Sequence, residues 1–239
     1  MLQFIWFYVW HLTLVPLGIL ITKPFNKWTW HKYTERIIFN IFQIHHTMTA
    51  DEPLIDTGYV LANHRSWMDF GIDPFLAKSC VLARRAAIFT MIFLIYLAYI
   101  DDIFICFVRG KEKRTELFHR IKQHIQKHKT YKRLLIWPEG TRLKYTHLAS
   151  SEEVKTYLKY GMLKSIYEDK ELPVQLQISH NKENVWDEKR LHIRYGVSVH
   201  THRSKSIHPK DFATEQEFYD EIARVWYDCW VKTHTTKEE

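Results

Sequence analysis

The sequence predicts an α/β fold, a mixed β-sheet flanked by helices over residues 31–239, carried behind an N-terminal membrane helix within residues 1–30. Three observations predict it. Short β-rich runs alternate with helical patterns after Thr57. No Pro/Gly/Ser-rich linker divides the 239 residues, so the chain reads as one catalytic-sized domain. From Leu2 to Ile21 there is no Lys, Arg, Asp or Glu, a 20-residue stretch of the length a helix needs to cross hydrocarbon.

That first segment opens Met1-Leu2-Gln3 without positive charge and ends Ile21-Thr22-Lys23-Pro24 without a small-residue cleavage site, so it does not resemble a cleaved signal peptide. Trp6, Tyr8 and Trp10 at one end and Trp28 and Trp30 beyond the other are spaced like interfacial aromatics. Lys23, Lys27 and Lys32 all follow the segment, which puts the body of the protein on the cytosolic side. A half-inserted helix and a buried helix of the core are the competing readings, since His11, Pro16 and Gly18 interrupt a clean span. A second apolar run, Ala86 to Ile100, is 15 residues long and too short to span; it reads as a core helix or an interfacial one. In the interfacial case Arg84, Arg85, Lys111, Lys113 and Arg114 would face lipid headgroups.

Tyr59 to Ala62 reads as the first strand and is followed by polar residues and a helix. Further strands are expected over Ile103 to Val108, Leu134 to Trp137, Val174 to Ile178 and Leu191 to Val199. Leu117, Ile121 and Ile125 recur every four residues on a helix opened by Thr115. Near the C-terminus Thr214 and Glu217 stand at capping-box spacing, and Phe218, Ile222, Val225 and Cys229 line one face of the helix they open.

Apolar residues make up 46% and aromatics 15%, with only 7 Gly and 7 Pro, which excludes collagenous, low-complexity and broadly disordered classes. The net charge of +7 suits an anionic partner. Nucleic acid is disfavoured, because the basic residues are spread out and no helix-turn-helix, RNP-type or zinc-finger pattern occurs. Cys80, Cys106 and Cys229 have no C-x-x-C spacing and read as small buried hydrophobes. His124 and His128, at i and i+4 among Lys122, Lys127 and Lys129, read as a solvated helix face. His45-His46 and His200-x-His202 lack adjacent carboxylates or thiolates, and no metal is expected.

The chemistry concentrates behind two strands. Asn63-His64-Arg65-Ser66-Trp67-Met68-Asp69 puts an imidazole where a strand gives way to a helix, with a carboxylate five positions on. Asp69 can fold back onto Nδ1 and fix the tautomer, leaving Nε2 of His64 to take a proton from a hydroxyl. No serine accompanies the pair, so the nucleophile would belong to the substrate. Trp137-Pro138-Glu139-Gly140-Thr141-Arg142 follows another strand and combines a glycine that admits a ligand, a hydroxyl, and a guanidinium able to fork two phosphate oxygens.

Together, Asn-His-x-x-x-x-Asp and, about seventy residues later, Pro-Glu-Gly-Thr-Arg resemble the glycerolipid acyltransferase family that includes 1-acylglycerol-3-phosphate acyltransferase. The resemblance extends to Phe104-Ile105-Cys106-Phe107-Val108-Arg109, an aromatic and aliphatic strand ending in Arg, and to Leu172-Pro173-Val174. It implies transfer of a fatty acyl group from acyl-CoA, or an acyl carrier protein, to a lysophospholipid hydroxyl, with no cofactor beyond the acyl-CoA co-substrate. On that implication His64 is the general base and Asp69 orients it. Gly140, Thr141, Arg142 and Arg109 hold the acceptor phosphate, with Arg114 or Lys111 as substitutes for Arg109, while Glu139 either binds the acceptor or shapes its loop. The intact Arg142 favours a compact phosphate, lysophosphatidic acid, over lysocardiolipin or lysophosphatidylinositol. The polar insert Lys144 to Lys155 is a candidate for headgroup choice. A non-catalytic lipid-binding protein of the same fold is the alternative. The resemblance also implies the endoplasmic reticulum in a eukaryote or the inner membrane in a bacterium.

Overall fold

The structure, a computed structural model, describes residues 35–84, 103–107, 113–143, 145–187, 190 and 192–235. Its frame is a seven-stranded mixed sheet of β1 (His45–Ala50), β2 (Gly58–Ala62), β3 (Cys80–Arg84), β4 (Phe104–Phe107), β5 (Arg133–Ile136), β6 (Val174–His180) and, last in the chain, β9 (Ser198–Ile207). Between β6 and β9 a two-stranded hairpin joins β7 (Trp186–Asp187) to β8 (His192–Ile193). The order across the large sheet is β1-β9-β6-β2-β5-β3-β4. Strands β6, β2, β5, β3 and β4 are mutually parallel, whereas β9 runs antiparallel to β6 and carries β1 with it. The expected mixed sheet with flanking helices is therefore present.

The helices are α1 (Asp69–Ala77), α2 (Arg114–Lys127), α3 (Ser151–Tyr157), α4 (Tyr160–Asp169) and α5 (Glu215–Thr235), preceded by a short π-helix over Glu35–Ile41. Helix α2 begins one residue before the expected Thr115 and buries Leu117, Ile121 and Ile125, the stripe that its spacing marks out. Helix α5 opens on the expected capping box: the Glu217 N–H donates to Thr214 Oγ1 at 3.2 Å, and the Ala213 and Thr214 N–H groups donate to Glu217 Oε2. Phe218, Ile222 and Cys229 are buried beneath it in the main core. There burial pushes the Cys229 thiol up to about 12, as suits a packed hydrophobe.

Strand β2 is buried at all five positions, as a central parallel strand must be. Strand β6 alternates instead. Val174, Leu176 and Ile178 join the main core, while Gln175, Gln177 and Ser179 face the other way and are equally buried. Helix α1 covers that polar face, with Gln177 Nε2 donating to the Asp73 carbonyl at 3.3 Å and Arg203 Nη2 to the Leu76 carbonyl at 3.1 Å. A polar stripe that alternation alone would assign to solvent thus lies under a helix, where each amide needs an internal partner.

Three expectations need correction. Leu191 to Val199 is not one strand: β8 ends at Ile193, Gly196 turns the chain at φ +68°, and β9 begins at Ser198. The alternating apolar residues hid a turn that only the left-handed glycine allows. Second, the insert from Lys144 to Lys155 is partly helical, since Ser150 Oγ accepts the Glu153 N–H and starts α3 at Ser151. Third, the paired histidines do not all lack a nearby carboxylate, since His202 faces Asp51. Thr47 meets His200 at 2.6 Å, Thr49 meets His202 at 2.8 Å and His202 reaches Asp51 at 3.2 Å, stitching β1 to β9.

Among the described residues no helix is long and apolar enough to cross a membrane. The expected anchor at residues 2–21 and the apolar run at residues 86–100 lie outside the described residues.

Candidate active site

Strands β2 and β5 are neighbours in parallel register, with Leu61 opposite Ile136, so the segments that follow them emerge side by side at the carboxyl edge of the sheet. That edge is where open α/β sheets bind ligands. His64 leaves β2 and Trp137 leaves β5, and their rings stack with centroids 4.8 Å apart. The two motifs, separate in sequence, form one site.

Asp69 begins α1 and turns back as the sequence expects: its Oδ2 accepts from His64 Nδ1 at 2.8 Å. The same oxygen accepts the backbone N–H groups of Arg65 and Ser66. Asp69 is wholly buried, whereas the His64 side chain keeps 13% of its surface open. Burial by itself raises a carboxyl, but the Lys182 ammonium, the His64 ring and the Ser66 N–H outweigh it, and Asp69 is held below the ordinary carboxylate range. An ionised Asp69 requires the proton of His64 on Nδ1. Nε2 then offers a lone pair, and none of the described residues bonds it.

Glu139 lies at the other side of this centre and is 1% exposed. Its Oε2 accepts the His64 backbone N–H, and its Oε1 meets the Tyr145 hydroxyl at 2.8 Å. Of the two parts the sequence leaves open to Glu139, this geometry supports loop shaping, since both oxygens face inward. Burial pushes its carboxyl up to about 8, against the pull of the His64 N–H, Tyr145, Lys182 and Arg65. Gly140 takes φ +67° behind a turn closed by its N–H on the Trp137 carbonyl, and it is exposed together with Thr141. Arg142 lays its guanidinium 4.3 Å above the Trp67 ring, and Arg84 at the end of β3 reaches the Gly140 carbonyl at 3.4 Å. Thus His64, Asp69, Glu139, Gly140, Thr141 and Arg142 converge, while Arg109 and Lys111 lie outside the described residues. Arg114 is exposed at the start of α2, where its guanidinium lies beside Gly161 of α4.

Buried charges behind the dyad carry little signal in the sequence pattern. Arg65 is 1% exposed, pairs with Glu183 at 2.9 Å and lies over the Tyr145 ring. Lys182, fully buried, pairs with Asp73 at 2.6 Å, and Trp137 Nε1 donates to the same Asp73 oxygen at 2.8 Å. Burial pushes Asp73 up to about 7 although Lys182 opposes it. Asp73 follows Asp69 by one helical turn, which is the only local signal; Lys182 lies more than a hundred residues from both.

The fold also brings Cys80 to His124 and His128, all ligand atoms within 4.8 Å of one another, so those histidines do not form the solvated face expected. His128 Nδ1 accepts the N–H groups of Thr130 and Tyr131. That fixes its proton on Nε2 and leaves neither ring nitrogen a lone pair for an ion.

A mixed α/β sheet with an imidazole–carboxylate dyad at its carboxyl edge, beside a turn carrying glycine, hydroxyl and guanidinium, sets the parts of a general base next to groups able to hold an anion. The sequence profile of the acyltransferase family matches residues 45–167, more than half of the chain, and the chain belongs to that family: it is an acyltransferase. No curated protein sequence matches it. Among solved structures it is similar to the 1-acyl-sn-glycerophosphate (LPA) acyltransferase PlsC from Thermotoga maritima, at 15% identity and a TM-score of 0.68. That similarity covers 99% of this chain and 96% of the other, and it shows a shared fold.

Proposed function

We propose that the enzyme transfers a fatty acyl chain from acyl-CoA to the free hydroxyl of 1-acyl-sn-glycerol 3-phosphate, producing phosphatidic acid. One observation carries the reading: the His64–Asp69 dyad and the Gly140–Arg142 turn lie at adjoining strand ends, where the Leu143 N–H donates to the His64 carbonyl at 2.9 Å. Nε2 takes the hydroxyl proton while the oxygen attacks the thioester carbonyl carbon. The carbon–sulfur bond breaks, and the departing CoA sulfur takes the proton back from the imidazolium, so the enzyme ends unchanged. Asp69 holds the ring and stabilises its transient positive charge.

Arg142, with Thr141 and the backbone of Gly140, is assigned to the acceptor phosphate, and Arg109 to the same group on the strength of its motif. Glu139 holds the turn and the His64 backbone in register. The 1-acylglycerophosphate named for the Thermotoga protein of this fold supports the acceptor chosen. Membrane attachment through residues 2–21, with the site on the cytosolic face, belongs to the same proposal and rests on the sequence.

The test is thiol release from oleoyl-CoA by the detergent-purified full chain, with a panel of lysophospholipids. Release with lysophosphatidic acid supports the acceptor assignment. Release only with lysocardiolipin or lysophosphatidylinositol refutes it while keeping the reaction class.

A further inference from the structure

We propose that Lys182 is a positioning residue of the active centre, acting through Asp69 on His64 and locked in place by Asp73 and Trp137. The inference rests on the catalytic reading of His64 given above. It starts from a turn: after β6 the chain reaches Asn181, in the left-handed region at φ 68°, which redirects Lys182 inward beneath the carboxyl edge of the sheet.

There Nζ lies 3.7 Å from Asp69 Oδ1 and 2.6 Å from Asp73 Oδ2, and it donates to the backbone carbonyl of Asn63, the residue before His64. Two hydrogens of the ammonium therefore have acceptors, and Asp69 is reached as an ion pair. Asp73 accepts from Trp137, and Trp137 stacks on His64, so the contacts run His64 to Asp69 to Lys182 to Asp73 to Trp137 and back to His64. Each side chain in this circuit except His64 lies within a tenth of full burial, and the lysine has no exposed surface at all.

A lysine buried this deeply is retained at a desolvation cost, so its effect on its neighbours matters. Asp69 faces Lys182, His64 and the backbone N–H groups of Arg65 and Ser66. Asp73 faces it from α1, Glu139 stands across the ring on the β5 turn, and Glu183 pairs with Arg65 after β6. Among these Lys182 is the cation nearest to Asp69 apart from a protonated His64. Remove that charge and a wholly buried Asp69 gains a proton more readily. A protonated Asp69 donates to Nδ1 and moves the ring proton to Nε2, where it blocks uptake of the hydroxyl proton. Loss of the ammonium also makes imidazolium formation easier, and both changes shift activity towards higher pH.

The experiment uses the full chain in detergent. It records kcat/KM against pH and the ¹⁵N tautomer signals of His64 for wild type, Lys182→Met, Lys182→Arg and Asp73→Asn, after circular dichroism has established folding. Lys182→Met is expected to lose about tenfold or more at pH 7 and to raise the acid limb by about one unit. Lys182→Arg recovers most of that loss, and Asp73→Asn, which removes a negative neighbour, does not raise the limb. A folded Lys182→Met with the wild-type limb and tautomer overturns the proposal, as does an Asp73→Asn that raises the limb equally. If Lys182→Met fails to fold, Lys182→Arg and Asp73→Asn decide on the same criteria. The tautomer signals do not require turnover, so a protein inactive on every acceptor refutes the acyltransferase reading while leaving Lys182 testable.

Discussion

Asp69 sits in a wholly buried place that alone would neutralise it, yet the Lys182 charge and three hydrogen-bond donors keep it ionised. Asp69→Asn retains the shape but lets the ring proton move to Nε2, so kcat should fall roughly a hundredfold to ten-thousandfold with acceptor KM little changed. Steady-state kinetics checks this, and equal loss in KM alone would contradict it. Arg142→Ala should instead raise acceptor KM about tenfold to a hundredfold, the worth of a charged hydrogen bond, in the same assay. Glu139 gives a pH prediction. Its carboxyl is raised from 4.5 to about 8 in the folded protein, so its stabilising effect is complete below the unfolded value and is lost as pH rises through about 8. Melting temperatures of Glu139→Gln between pH 5 and pH 8 should therefore fall less than those of wild type. The dyad was legible at this scale because five residues bring His64 and Asp69 together locally. Lys182 was not, since it reaches them only because β6, more than a hundred residues further along the chain, pairs beside β2.

Elements were legible where period and capping agree. Leu117, Ile121 and Ile125 mark α2, and Thr214 with Glu217 marks the start of α5. Thr214→Ala should cost about 1 kcal/mol, a drop in melting temperature of about 2–4 °C, because one orphan N–H loses its acceptor. Thermal denaturation followed by circular dichroism measures it, with thiol release unaffected. Strand β9 was legible only in part. Its His200 to Ser206 stretch is polar, and it is a strand because α1 and β1 supply partners to Thr201, His202 and Arg203. The same is true of Gln175 and Gln177 in β6, whose amides bond inward to Ser204, Asp73 and Arg203. Polar residues buried against polar residues carry no hydrophobic period, so pattern reading cannot place them.

Across the molecule the sheet order decides: β2 and β5, 75 residues apart in sequence by their register, lie adjacent and parallel, and their ends bring base and turn together. That adjacency was implied by motif resemblance rather than by any local signal, and the fold shared with the Thermotoga enzyme fits it. The net charge of +7 suits an acceptor that is anionic and lies at a charged surface, so the apparent KM for lysophosphatidic acid should rise with salt. The most direct measurement is acceptor-dependent thiol release from oleoyl-CoA by wild type beside His64→Ala, prepared identically and shown to be folded. The account predicts release with lysophosphatidic acid that falls to background in His64→Ala. Release by a folded His64→Ala at the wild-type rate would contradict it, as would a folded wild type that binds lysophospholipid yet frees no thiol with any acceptor.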